Sequence, residues 1–167
     1  GIGRAAMRQS RLPREAVMER AMGVALANDV EGNSLGAWGK LIRSWGNVDS
    51  DGNAGAQDTD TEGFVLGFDG GSANDTRAVR FGVYGSYLNT RLTIDRRGSS
   101  GRIEQAGGGV YARLSMGNLS LVAGGGAARF DITTDRTLAL PGLTETTSSV
   151  STGDMAQAFG RIGYRVD

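Results

Sequence analysis

The chain of 167 residues carries 28 glycines, no cysteine, no histidine and a formal net charge of zero. Without His and Cys there is no Ser-His-Asp triad, no Cys-His dyad, no His-ligated zinc site, no disulfide frame and no iron–sulfur cluster. The basic residues are scattered rather than gathered into a stripe, which argues against a nucleic-acid or polybasic lipid surface. No stretch reaches the roughly 18 apolar residues of a membrane helix and no signal-peptide h-region opens the chain, which leaves a soluble protein or a β-barrel, whose hydropathy trace is weak.

In chain order, "LPREAVMERAMGVALANDVEGNS" comes first. Pro13 suits a first helical turn, Glu15 the positive end of the dipole, and Asn28 and Gly32 a stop, so a helix is expected over about 13–30. It is slim: Ala16, Ala21, Gly23, Ala25 and Ala27 add little bulk, and Val17, Met18, Met22, Val24 and Leu26 do not line one clean stripe.

After Gly36 the period becomes two. In "EGFVLGFDG" Phe64, Leu66 and Phe68 alternate with Gly63, Val65, Gly67 and Asp69, and "VRFGVYGSY" sets Val79, Phe81 and Val83 against Arg80, Gly82, Tyr84 and Ser86. "AGGGVYARL", the stretch from Leu119, and "MAQAFGRIGYRV" repeat the division of one greasy face and one small or polar face. "WGKLIRSWG" is a further strand whose register is ambiguous, because Trp38 and Trp45 fall on opposite faces. These make six strands of about 9 to 14 residues, against the roughly 9 to 11 that cross a bilayer at a tilt.

The connections alternate in length. Residues 46–61 and 134–153 read as long polar loops and 96–101 as polar, whereas 70–76 is shorter and Gly117-Asn118 is tight. Outer-membrane barrels have this asymmetry between their two rims. A soluble sandwich has loops at both ends and bulky core faces, and a soluble β-barrel or sandwich that binds a ligand is the competing reading. On the barrel reading Arg80, Tyr84, Tyr111, Arg113, Arg161 and Arg165 face the lumen, and the inward glycines leave bare wall for the slim helix, with Glu15 and Glu19 within reach of Arg80, Arg113 or Arg161.

At this point the residues resemble a known family. "GAWGKLIRSWGNVDSDGNAGAQDTDTEGFVLGFDG", "RFGVYGSYLNT", "GGGVYARL", "ARFDITTDR" and "AQAFGRIGYR", in this order and spacing, resemble the C-terminal translocator domain of bacterial autotransporters, or type V secretion. The resemblance implies an all-β fold, an antiparallel up-and-down barrel of about twelve strands in the bacterial outer membrane, threaded by a pore helix that leads to an exported passenger. Residues 1–35 then form the linker and pore-threading helix, and residues 36–167 the N-terminal half of the barrel. Completion by a C-terminal half or by a second copy is expected, because about six strands leave two unpaired edges. The implied partners are outer-membrane lipid, the chain's own passenger and the barrel assembly machinery. Some family members release the passenger at an Asn-Asn pair in the pore helix. Here Asn28-Asp29 is the candidate position.

The other motifs are weaker. "DSDGNAGAQDTD" has Ala54 where a calcium loop needs glycine and no Glu at its twelfth place, and "GIGRAA" lacks the preceding strand of a dinucleotide fingerprint. Asp131 and Asp135 read as strand-end solvation. The sequence therefore points to a transport and anchoring module without catalysis, cofactor or metal of its own.

Overall fold

A computed structural model describes residues 9–27, 32–48, 57–94, 99–140 and 143–165. Helix α1 covers Arg11–Ala27, followed by β1 (Gly32–Val48), β2 (Gln57–Ala73), β3 (Arg77–Ile94), β4 (Ser99–Met116), β5 (Leu119–Leu140) and β6 (Leu143–Tyr164). The strands make one antiparallel sheet in sequence order, so β1 and β6 are its edges. Every connection joins neighbours, as in an up-and-down meander.

The helix begins two residues before Pro13, which sits in the first turn, where a missing N–H costs nothing. It is described to Ala27, and Asn28 and Asp29 lie outside the described residues. The strands, at 17 to 22 residues, are longer than the sequence suggests. The expected loop over 134–153 is largely a ladder, in which β5 and β6 stay paired from Leu119↔Tyr164 to Leu140↔Leu143. Thr and Ser dominate that stretch; from Thr146 to Thr152 they are exposed like a loop, yet Thr suits a pleated strand. The other long connection, 46–61, shortens in the same way, since β1 reaches Val48 and β2 starts at Gln57. Two tight turns close the opposite rim. Gly117 adopts φ of 53°, which a residue with a Cβ rarely does, and the Asn74 side chain accepts from the Arg77 amide at 2.8 Å.

The two faces have opposite chemistry. Leu41, Phe64, Leu66, Phe68, Phe81, Val83, Val110, Leu121 and Ile162 all point away from the helix and stay exposed, Leu41 at 87 % and Ile162 at 74 %. From Tyr87 to Arg77 the outward rows step about ten residues, which at 3.3 Å each and a 40° tilt gives about 25 Å of height, that of an outer-membrane apolar band. Beyond Tyr87 the outward rows turn charged, with Glu62, Arg91, Glu104 and Asp131 on adjoining strands. Trp45 lies outward there, while Trp38 points inward, which resolves the ambiguous register of β1.

The inward glycines serve the strands before they serve the helix. Across the sheet one row reads Gly36, Asp69, Gly82, Tyr111, Gly124, Phe159, and the next reads Trp38, Gly67, Tyr84, Gly109, Gly126, Gln157. Trp38, Tyr111 and Phe159 each place their ring against a glycine of the neighbouring strand, and the Tyr84 hydroxyl reaches Gly109 and Gly126. A Cβ at Gly67 would come within 2.5 Å of the Trp38 ring, one at Gly82 within 2.3 Å of Tyr111, and one at Gly124 within 2.5 Å of Phe159. The wall is thus bare only before its neighbours cover it. Gly82→Ala is expected to destabilise the folded protein by about 1–3 kcal/mol through the displaced ring, seen as a lower urea midpoint in detergent. Gly85→Ala, whose Cβ would approach nothing nearer than 3.9 Å, is expected to hold or raise that midpoint.

Candidate functional site

The inward face carries α1. Ala16, Val17 and Ala21 are buried against Ile42, Val65, Tyr84, Leu88, Tyr111 and Val122, with Leu12 and Met18 flanking them. The contact stripe is narrow because its residues are small; a fuller helix would stand off the rings that cover the wall. The helix runs so that Ala21 and Met22 approach the tight-turn rim: the Arg113 Nη1 donates to the Ala21 carbonyl at 3.0 Å, and Arg161 approaches the Met22 sulfur at 2.9 Å.

Asp69 is the centre of the seat. Its side chain has no exposed surface. Oδ2 accepts from Arg20 Nε at 2.9 Å and from the Tyr111 hydroxyl at 2.7 Å, while Oδ1 accepts from Arg20 Nη2 at 3.2 Å and Arg80 Nη1 at 2.6 Å. Trp38 Nε1 donates to the Tyr111 oxygen at 3.0 Å and the rings meet edge to face, 6.4 Å apart, which fixes the hydroxyl on the carboxylate. Arg80 also reaches Ser34 Oγ at 2.8 Å. One carboxylate therefore joins the helix to β1, β2, β3 and β4, and the Arg20 guanidinium lies against Gly36.

The candidate residues are placed as follows. Arg80, Tyr84, Tyr111 and Arg113 lie on the helix-bearing face, as does Arg161, and Arg165 follows β6 beside the Gly117-Asn118 turn, its amide donating to the Asn118 carbonyl at 2.9 Å. Arg80, Arg113 and Arg161 meet Asp69, Ala21 and Met22, whereas Glu19 meets Lys40 and Glu15 is exposed. The sequence reading missed Arg20 and Asp69 as partners. Its one available clue was Asp69 itself, the only charge on the inward parity of "EGFVLGFDG". Among the described residues no cluster of acidic side chains could hold a metal ion.

Asp69→Asn keeps the shape but leaves two guanidinium groups around a neutral amide, and is expected to cost about 2–4 kcal/mol. Hydrogen exchange of the α1 amides should speed up accordingly. Glu19→Gln breaks only an exposed pair with Lys40, and should change stability by less than about 1 kcal/mol and leave those amides protected.

Comparison with known proteins matches this architecture. The model of the family described as "Autotransporter beta-domain" covers residues 37–167. An extracellular serine protease of Serratia marcescens is 29 % identical over 163 residues, 96 % of this chain and 15 % of that protein. A second extracellular serine protease of the same organism is 32 % identical over 137 residues, 80 % of this chain and 13 % of that protein. The chain thus spans less than a sixth of the length of these relatives. With its greasy outward face, up-and-down strands and inward helix, the chain belongs to the autotransporter beta-domain family, the outer-membrane β-barrel module through which a passenger is exported.

Proposed function

We propose that residues 1–35 are the linker and pore helix of the translocator and residues 36–167 the first half of its barrel, and that α1 closes the lumen once the passenger has passed. The observation that carries this reading is the seating of α1 along the inward wall, with Ala21 and Met22 at the tight-turn rim, so that the helix N-terminus at Arg11 points toward the long-loop rim. The tight-turn rim then faces the periplasm and the passenger leaves at the cell surface. The Asp69 carboxylate holds Arg20 and stops the helix at one depth.

The free edges of β1 and β6 are unpaired ladders that hydrocarbon cannot satisfy, so a C-terminal half of the same chain closes the barrel. A second copy pairing β6 with β1 is the alternative closure, and native mass measurement of the full-length protein in detergent separates them. The barrel assembly machinery is the partner that inserts such a sheet. This module itself catalyses nothing; the proteolysis named for the Serratia relatives belongs, on this reading, to the passenger, and Asn28-Asp29 is the position of passenger release.

Orientation is tested on intact cells with an impermeant thiol reagent. A cysteine at Thr146, on the exposed β5–β6 hairpin, is expected to be modified, and one at Asn118 to be spared. The reverse pattern would overturn the topology. A charge in the apolar band supplies a second test: Phe68→Arg is expected to cost about 2–4 kcal/mol and to reduce heat-resistant folded protein in the outer membrane.

A further inference from the structure

The outward face is not evenly clad. Phe68, Phe81 and Val110 stand up from β2, β3 and β4, each more than half exposed, while Ala112, Ala123 and Gly125 beside them end at a methyl group or at the backbone. Phe81, Ala112 and Ala123 are direct neighbours in one row, so the step from ring to methyl is abrupt. Together these residues line a hollow of about 690 Å³ on the outer wall. That is within the roughly 300–1,000 Å³ of pockets that hold small-molecule ligands. Phe81 lies four residues above Arg77 on β3, which at about 3.3 Å each and a 40° tilt is about 10 Å, in the half of the apolar band nearer the tight turns.

Charge returns at the rim itself. Arg77 continues the outward parity of Val79 and Phe81, and among the described residues it is the single charged side chain on the outward rows from Phe81 to the tight turns. Asp75 lies in the turn two residues before it, and the Asn74 side-chain oxygen fixes that turn by accepting from the Thr76 and Arg77 amides at 3.2 and 2.8 Å. Both charges are exposed, and neither enters an ion pair among the described residues. Arg113 and Arg161 share the inward parity, away from this surface. The rim therefore offers the membrane one cation and one anion, side by side and unjoined.

We propose that the hollow and this turn form one binding site for a phospholipid whose headgroup carries both a phosphate and a primary ammonium, with an acyl chain in the hollow, the phosphate on Arg77 and the ammonium on Asp75. Hydrocarbon surrounds this face, and a hollow in it forfeits dispersion contacts unless something fills it. A flexible chain lying between the rings is touched on three sides rather than one. A guanidinium donates paired N–H groups to phosphate oxygens, and a carboxylate accepts from an ammonium. A purely anionic headgroup would satisfy Arg77 and be repelled by Asp75. The site rests on the outer-membrane barrel, and the leaflet that supplies the lipid rests on the orientation proposed above.

The test uses the full-length protein in mild detergent. Phosphatidylethanolamine, phosphatidylcholine or phosphatidylglycerol with identical acyl chains is added at equal concentration, and retained lipid is read by native mass measurement. One phosphatidylethanolamine per barrel is expected, held at least about threefold more than either other lipid, because the choline ammonium has no N–H for Asp75 and the glycerol headgroup has no cation. Asp75→Asn with Arg77→Gln should bring the three lipids to equal retention. Ala123→Phe fills the hollow from an exposed position and should lower phosphatidylethanolamine retention at least about threefold, whereas Ala106→Phe, outward but away from the hollow, should leave it unchanged. Retention of the heat-resistant folded form checks each variant. No retained lipid, equal retention of the three lipids by the unaltered protein, or retention indifferent to Ala123→Phe would each overturn the site. So would a mass of two protein chains that Ala123→Phe separates, since a second copy would then cover the hollow. None of these readings depends on orientation, whose failure shows itself separately as labelling of Asn118→Cys from the surface of intact cells.

Discussion

Taking a carboxylate out of water costs several kcal/mol unless donors replace its hydration, and Asp69 is fully enclosed with four of them supplied by Arg20, Arg80 and Tyr111. That requirement organises the site. It draws Arg20 of the helix to β2, fixes the phenol of β4 through the indole of β1, and ties the guanidinium of β3 back to Ser34. The apolar contacts of Ala16, Val17 and Ala21 are small, so they bring the helix close without deciding its depth. Depth is decided where a fork of N–H groups meets one carboxylate in bidentate geometry.

The rest of the molecule inverts the usual arrangement of a globular protein. Its largest apolar surface faces outward and its polar network faces inward, because the solvent on the outside is hydrocarbon and the lumen is wet. Glycine is then useful on the inward face for a reason that has little to do with flexibility. A ring from the neighbouring strand occupies the volume that a side chain would take, which smooths the wall for the helix and lends the ladder cross-strand contact where glycine alone would weaken it.

Much of this was legible in the sequence wherever two faces differ in chemistry. Phe64, Leu66 and Phe68 against Gly63, Val65, Gly67 and Asp69 fix the parity of β2 without any structure, and the Gly117-Asn118 turn fixes its hairpin. Strand ends were hidden, because above the apolar band both faces are solvated and a ladder of Thr and Ser such as 144–152 looks like a loop. The function of Gly82 was hidden too, since it depends on Tyr111 lying opposite, a fact of register between strands. The link between Arg20 and Asp69 spans 49 residues and joins a helix to a strand, so no periodicity reports it. Glu15 and Glu19 were the more conspicuous charges on the helix, yet the shape of the seat favours an arginine.

The alternation of ring and glycine also makes the sheet sensitive to misalignment. Sliding β4 past β3 by two residues in one direction would set Tyr111 against Tyr84, two rings competing for one space, and in the other direction would set it against Arg80, stripping Asp69 of donors. Between β4 and β5 the same slip meets Gly126 on one side and only Val122 on the other, so that seam is more forgiving. Fidelity of strand alignment is therefore uneven around the wall: the β3–β4 seam discriminates right from wrong by steric exclusion, and does so beside the carboxylate on which the helix depends.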